Sequence, residues 1–397
     1  MNTTPKKPLV YVVPDIERAL GREPIDDYFI VANKTPYSES IAVKYPDNVK
    51  LINGAYATSE LLALPEVIKN IHAHDADTIV FIGNSIVERT AQKSGINLIH
   101  PKAELAGQIE GKISQIEWLG ELATLLPPYK VGPLKNLQYE NFPLILQFGF
   151  SHTGEGTHLI DSSEKLKEFQ DKFPERLART LRYIDGESYT VNAVVTEKRT
   201  LIGNISFQIT GISPFTDLPF STIGNDWKLP YTILKKEEGL KIEEIARAIG
   251  TQLQTSGWRG LFGIDVIREK NTGKIYLIEI NARQPASTTL ESQLQRKAGN
   301  GLTIFDAHIQ ALRGENIEGD IQKIKDGAQI VQRVTKKINR QTIHVDTNKL
   351  KNSGFDVIQY ESDEPNNDLV RITSEVGIMN SPSTFNNHGD IISSSLS

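Results

Sequence analysis

Two strand-like runs, Gly263–Arg268 and Tyr276–Arg283, flank the turn residues Asn271, Thr272 and Gly273, and this hairpin constrains the fold more than any other stretch of the chain. A three-residue loop closed by Lys270 and Lys274 sets Ile264 opposite Ile280, Val266 opposite Ile278 and Ile267 opposite Leu277. The same register sets Asp265 opposite Glu279, and like charges facing each other on a sheet are destabilising. A divalent cation between them removes the repulsion. Side chains alternate along a strand, so Glu279, Asn281 and Arg283 share one face, which with Asp265 gives two carboxylates, an amide oxygen and a guanidinium in a row. That is a magnesium and phosphate site in outline. The alternative is an exposed hairpin with unrelated surface charges; the apolar residues between the charges favour burial of both faces.

At 397 residues the chain exceeds one ordinary core, and two or three domains are expected. A hydrophobic content of 39%, a charged content of 23% and a net charge of −5 describe a globular protein without the basic stripe of a nucleic-acid binder. The absence of cysteine excludes disulfides, thiolate catalysis and thiolate zinc sites. The start MNTTPKKPLVYVVPD has an apolar run too short for a signal peptide, and no later run approaches a membrane span, so a cytoplasmic location is the expectation.

The first third alternates strands (PLVYVV, DDYFIVAN, TIVFIGN, INLIHP) with helices (SELLALPEVIKNIHAHD, IVERTAQKSG), the pattern of an open α/β unit with a parallel sheet. A helix from Lys102 to Leu125 then leads into LLPPYKVGP, read as a Pro-rich connector. From Phe142 the pattern becomes hairpins: FPLILQFGF and HLID around a loop, then TLRYIDG, ESYTVNAVVTE and TLIGNISFQIT. The segment SPFTDLPFSTIGNDWKLP reads as an irregular, substrate-facing loop in which Asn225, Asp226 and Trp227 are candidates to shape a pocket. Strand candidates AQIVQRVTK, QTIHVD, FDVIQY and DLVRIT and a polar, frayed tail close the chain. The expected architecture is therefore α/β and α+β: residues 1–110 an open α/β domain, 111–318 a larger domain of two α+β subdomains, and 319–397 a small β-rich region.

Ser151, His152, Thr153, Gly154, Glu155, Gly156 and Thr157 join two strands, and the small residues let backbone N–H groups approach an anion. This is not a Walker A loop, because Glu155 and Gly156 occupy the Lys-Ser/Thr positions; a plain hairpin turn is the alternative. His72 and His74, at H-x-H spacing on a helix, point to different faces and read as solvated side chains.

Loop and hairpin together, in this order behind an α/β unit, resemble the ATP-grasp superfamily over residues 80 to 315. The resemblance implies a pre-ATP-grasp N-terminal domain, an ATP-grasp domain, and the cofactors ATP and Mg²⁺, with Asp265, Glu279 and Asn281 as metal ligands. It implies that Ser151, His152, Thr153, Gly154, Gly156 and Thr157 cover the phosphates, and that Lys112 reaches them from the start of a helix. Arg182, Tyr183 and Ile184 would form the adenine hinge, with Glu187 near the ribose. Gln147 stands where the resemblance calls for a second lysine, Leu181 where it calls for an acidic adenine contact, and Ser188 near the ribose carboxylate position. The implied activity is that of an ATP-dependent carboxylate-amine ligase working through an acyl phosphate, with Lys112 and Arg283 as catalytic residues. The implied partners are small-molecule carboxylate and amine substrates, an amino acid or peptide among them, with neither nucleic acid nor membrane, and a homo-oligomer is compatible. A nucleotide-binding protein without turnover, or an ATP-grasp kinase, are the alternatives.

Overall fold

The computed structural model describes residues 6–139, 141–149 and 156–396. Strands β1 (Leu9–Val13), β2 (Tyr28–Asn33), β3 (Val49–Ile52) and β4 (Asp77–Val80) form a parallel sheet in the order β3-β2-β1-β4, as the alternating pattern implies. Every residue of β1 is buried, with Leu9, Tyr11 and Val13 in one core and Val10 and Val12 in another, which is why it reads as an unbroken apolar run. One strand is unanticipated and two expectations are corrected here. The short strand β3, with two of its four residues only half-buried, gives no sequence signal. INLIHP contributes a single bridge from Leu98 to Thr78 rather than a strand. The first long helix is divided into Thr58–Leu61 and Pro65–Ala73, because Pro65 has no N–H to continue the hydrogen-bond ladder.

A second, antiparallel sheet has the order β5-β8-β6-β7, formed by β5 (Tyr129–Pro133), β6 (Leu144–Phe148), β7 (Thr157–Ile160) and β8 (Leu177–Arg182). The Pro-rich connector thus carries β5. As an edge strand it tolerates Pro133, whose missing N–H costs no interior hydrogen bond. Leu134, Leu146, Phe148, Ile160 and Leu166 make the core of this subdomain.

The third sheet has eight strands: β9 (Gly186–Val195), β10 (Thr200–Thr210), β11 (Thr222–Asp226), β12 (Gly260–Glu269), β13 (Ile275–Asn281), β14 (Ala328–Arg333), β15 (Phe355–Gln359) and β16 (Asp368–Ser374). Their order is β13-β12-β9-β10-β11-β14-β16-β15, every pair antiparallel. Helix Lys236–Thr255 lays Ile242, Ile245, Ile249 and Leu253 into the core that also takes Val191, Phe262, Ile264 and Ile280. The C-terminal strands continue this sheet, since β14 pairs with β11.

The segment expected as an irregular substrate loop supplies β11 inside the sheet. Asn225 and Trp227 are buried, and Asp226 accepts hydrogen bonds from the backbone N–H groups of Lys228, Leu229, Ile378 and Met379 at 2.7–2.9 Å. Asp226 therefore staples residues 377–379 to the sheet, and none of the three shapes an open pocket. QTIHVD forms no strand, only a bridge from Val345 to Leu396. The polar tail, expected to fray, folds into helix Asn387–Ser393, whose first N–H groups are capped by Asn386. Among the described residues no helix is long and apolar enough to cross a membrane.

Candidate active site

The hairpin of β12 and β13 sets Asp265 opposite Glu279, Ile264 opposite Ile280 and Gly263 opposite Asn281, as the register analysis requires. Beyond that point the pairing shifts by one. Val266 faces Leu277 and Ile267 faces Tyr276, because the connecting loop holds four residues, Lys270 to Gly273, closed by Glu269 and Lys274, and Ile278 is an extra residue in β13. Gly273, at φ +70°, adopts the left-handed conformation that glycine enters without strain. The bulge breaks strict alternation. Leu277 and Ile280 enter the main core, whereas Ile278 and Glu279, consecutive in sequence, both lie on the opposite face; Ile278 packs there against Ile184, Ile267 and Tyr276.

Asp265 accepts from the Thr190 hydroxyl at 2.7 Å and from the Asn281 amide at 3.2 Å. Burial, and then the facing Glu279, push its carboxyl up to about 6. Burial pushes Glu279 in the same direction, but Lys112, Arg283 and Arg179 outweigh it and hold this carboxylate below its ordinary range. The Lys112 ammonium, 5% exposed, lies 2.5 Å from Glu279 Oε1. Its backbone N–H donates to the Gly149 carbonyl at 2.8 Å, so Lys112 sits where β6 enters the Gly-rich loop and just ahead of helix Ser114–Leu119. Arg283 donates to Glu110 at the end of helix Ala103–Glu110. Among the described residues no three His, Cys, Asp or Glu side chains converge as a metal cluster. The donors are two carboxylates and an amide oxygen, the hard oxygens that suit Mg²⁺.

Ser151, His152, Thr153 and Gly154 lie outside the described residues. Gly156 accepts from Phe148 N–H at 3.4 Å, and the Thr157 hydroxyl accepts from Gln147 at 3.2 Å. His158 packs against Phe148 and Phe169. Tyr183, Ile184 and Asp185 link β8 to β9, and Ile184 belongs to the apolar patch with Ile267 and Tyr276 beside Glu279. Arg182 donates to Glu269 at 2.7 Å and to the Tyr276 hydroxyl at 2.8 Å, while Glu187 accepts from Arg268 at 3.2 Å; both are tied to the turn end of the hairpin. The two histidines of the H-x-H pair do not converge: His72 bonds the Ser94 carbonyl, and His74 stacks on Phe29.

Sequence analysis missed Arg179. It is fully buried on β8, in register with Gln147 on β6. Its Nε and Nη2 donate to Gln147 Oε1 at 3.1 and 2.7 Å, and its Nη1 donates to Gln115 Oε1 at 3.1 Å. Desolvation lowers this guanidinium to about 10, against the pull of Glu279. The available signal was a charged residue inside the strand run LARTLR.

A row of polar side chains also crosses the eight-stranded sheet. Arg371 bonds Gln329 at 3.2 Å, Gln329 bonds Asn225 at 3.0 Å, Asn225 bonds Ser206 at 3.1 Å, and Ser206 reaches the Thr190 carbonyl at 3.4 Å. Thr190 is the residue that holds Asp265. At the far end Arg371 meets Asp368 and the Tyr360 hydroxyl, and Tyr360 donates to Glu17 just after β1.

A family model described as an ATP-grasp domain matches residues 109–287. Residues 109–287, just under half of the chain, are thus similar to an ATP-grasp domain, and they follow the parallel α/β unit of β1 to β4. The chain's particular likenesses are structural. An N5-carboxyaminoimidazole ribonucleotide synthetase in complex with ADP superposes with a TM-score of 0.65 at 12% identity, covering 99% of this chain and 98% of that one. The Aspergillus clavatus N5-carboxyaminoimidazole synthase, solved with ADP and 5-aminoimidazole ribonucleotide, gives 0.65 at 16% identity, covering 98% and 99%. The biotin carboxylase domain dimer of Hydrogenobacter thermophilus 2-oxoglutarate carboxylase, with MgADP, ADP and bicarbonate, gives 0.62 at 14% identity, covering 94% and 87%. No curated protein sequence matches the chain.

Proposed function

We propose that this chain is an ATP-dependent ligase that activates a small-molecule carboxylate as an acyl phosphate and transfers the acyl group to an amine. The observation that carries this reading is the convergence of Asp265, Glu279 and Asn281 with Lys112 on a fold whose solved relatives hold ADP, bicarbonate and an aminoimidazole ribonucleotide. Direct attack of an amine on a carboxylate fails because oxide is a poor leaving group. Attack of a carboxylate oxygen on the γ-phosphorus releases ADP, and attack of the amine on the resulting mixed anhydride releases phosphate and a proton.

The side chains divide this work. Asp265, Glu279 and Asn281 would hold Mg²⁺, which supplies charge neutralisation on the phosphates when bound. Lys112 offsets negative charge from the other side, at the base of the Gly-rich loop. Arg283, held by Glu110 in this structure, can exchange that partner for the oxygens of the acyl substrate or of the transferred phosphoryl group, a role suited to its paired donors. Ile184, Ile267, Tyr276 and Ile278 offer an apolar surface for the adenine next to the charged end. The test is Glu279→Gln, with phosphate release measured over pooled carboxylates and amino acids with Mg-ATP. Turnover should fall about a hundred- to a thousandfold, the range for losing one electrostatic contact at the transferring group, while circular dichroism stays unchanged. Undiminished turnover in that variant refutes the assignment.

A further inference from the structure

Arg179 is a buried cation without a counter-ion. Its three bonded nitrogens all donate to neutral amide oxygens, of Gln147 and Gln115, and among the described residues no carboxylate lies within ion-pair distance of it. Glu279 acts on it only through space, and that carboxylate already has Lys112 at 2.5 Å. Burying an unpaired charge is costly, so a site that keeps one has a use for it when a ligand arrives. Its position names the ligand. β6 and β8 pair at Gln147 and Arg179, and two residues after Gln147 the β6 chain reaches Gly149, whose carbonyl holds the Lys112 backbone.

We propose that Arg179 supplies the second positive charge of the nucleotide phosphate cradle, with Gln147 and Gln115 fixing the orientation of its guanidinium toward Lys112 and Glu279. This rests on the ATP-dependent reading above. The cation has changed strands: a side chain on β8 does from one side of the register pair what a lysine at position 147 would do from the other. Gln147 is then a positioning residue, whose oxygen takes two of the five guanidinium donors while Gln115 takes a third, so two N–H groups of this buried side chain remain for an anion. Its Nε2 donates in turn to the Thr157 hydroxyl at the start of β7, so the orientation of the fork is tied to that strand.

The experiment is calorimetric titration of the full chain with Mg-ATP, together with displacement binding of adenosine, which lacks phosphates. Arg179→Gln should weaken Mg-ATP about thirtyfold, the range of a lost hydrogen bond to a charged group, and leave adenosine unchanged. Gln147→Lys with Arg179→Gln returns one cation to the same register pair and should recover Mg-ATP binding to within about fivefold of the wild type. It also serves where the single variant fails to fold. Equal loss of ATP and adenosine affinity in Arg179→Gln, or no recovery in a folded double variant, overturns the proposal. Wild-type binding of Mg-ATP with unchanged affinity in Arg179→Gln overturns this inference alone, whereas a wild-type protein that binds no Mg-ATP overturns the ATP-dependent reading with it.

Discussion

Asp368 offers a perturbation whose size follows from its surroundings. The carboxylate lies between three arginines: Arg371 at 2.5 Å, Arg18 at 3.5 Å, and Arg333, which donates to its other oxygen. Burial alone would raise its pKa, but Arg371, Arg333 and Arg18 outweigh burial and hold it at about 2, against an ordinary 3.8. The folded pKa is depressed, so the stabilisation is present in full above the unfolded value and is lost as pH falls from about 4 through 2. A shift of just under two pKa units corresponds to about 2 kcal/mol. Asp368→Asn should cost more than this at pH 7, about 3–5 kcal/mol, because it strands buried guanidinium groups. The assay is urea unfolding of both proteins at pH 7, 5, 4, 3 and 2.5, following the transition that releases Arg18 and so separates the N-terminal unit from the C-terminal strands. The difference between wild type and variant should stay flat from pH 7 to 5 and shrink by up to about 2 kcal/mol below pH 4. A difference that is constant across the whole range, or that grows on acidification, refutes the reasoning.

Two further outcomes are expected. Asp226→Ala orphans four backbone N–H groups and should destabilise the protein by about 4 kcal/mol or more, roughly one for each donor; protease cleavage near residues 377–379 should appear before the rest of the sheet opens, and a loss under about 1 kcal/mol contradicts the staple. Deleting Ile278 removes the bulge and leaves every other residue of β13 on its present face, so the protein should fold and retain Asp265 opposite Glu279. Nucleotide affinity should then drop about tenfold through the lost apolar contact, worth about 1–2 kcal/mol, with the metal dependence of binding preserved; loss of metal dependence would show that the bulge sets the register of the carboxylates.

The confrontation of Asp265 with Glu279 was legible because the register that sets Ile264 against Ile280 also sets the two carboxylates against each other. The turn end was not, since a four-residue loop and a bulge at Ile278 together restore the pairing that a three-residue loop would give. Pattern reading averages over such compensation. Arg179 escaped because Ala178, Arg179, Thr180 and Leu181 are all buried, so β8 has no exposed face against which a buried charge stands out. β11 escaped for a different reason: its strand ends in Asp226, a residue rare in strands, which two N–H donors just after it and two from the distant residues Ile378 and Met379 satisfy. Parallel β1 and β4, being apolar on both sides, were plain from the sequence alone.

The polar row across the eight-stranded sheet has a direction. Arg371 can only donate, and the backbone carbonyl of Thr190 can only accept. Between them Gln329, Asn225 and Ser206 each receive from the Arg371 side and give toward Thr190. The Thr190 hydroxyl separately donates to Asp265. The two fixed ends dictate which way every amide points. The row is therefore a line of aligned dipoles whose positive ends lean toward the strand that holds Asp265 in place, and exchanging the Arg371 donor for an acceptor would require each amide in turn to flip.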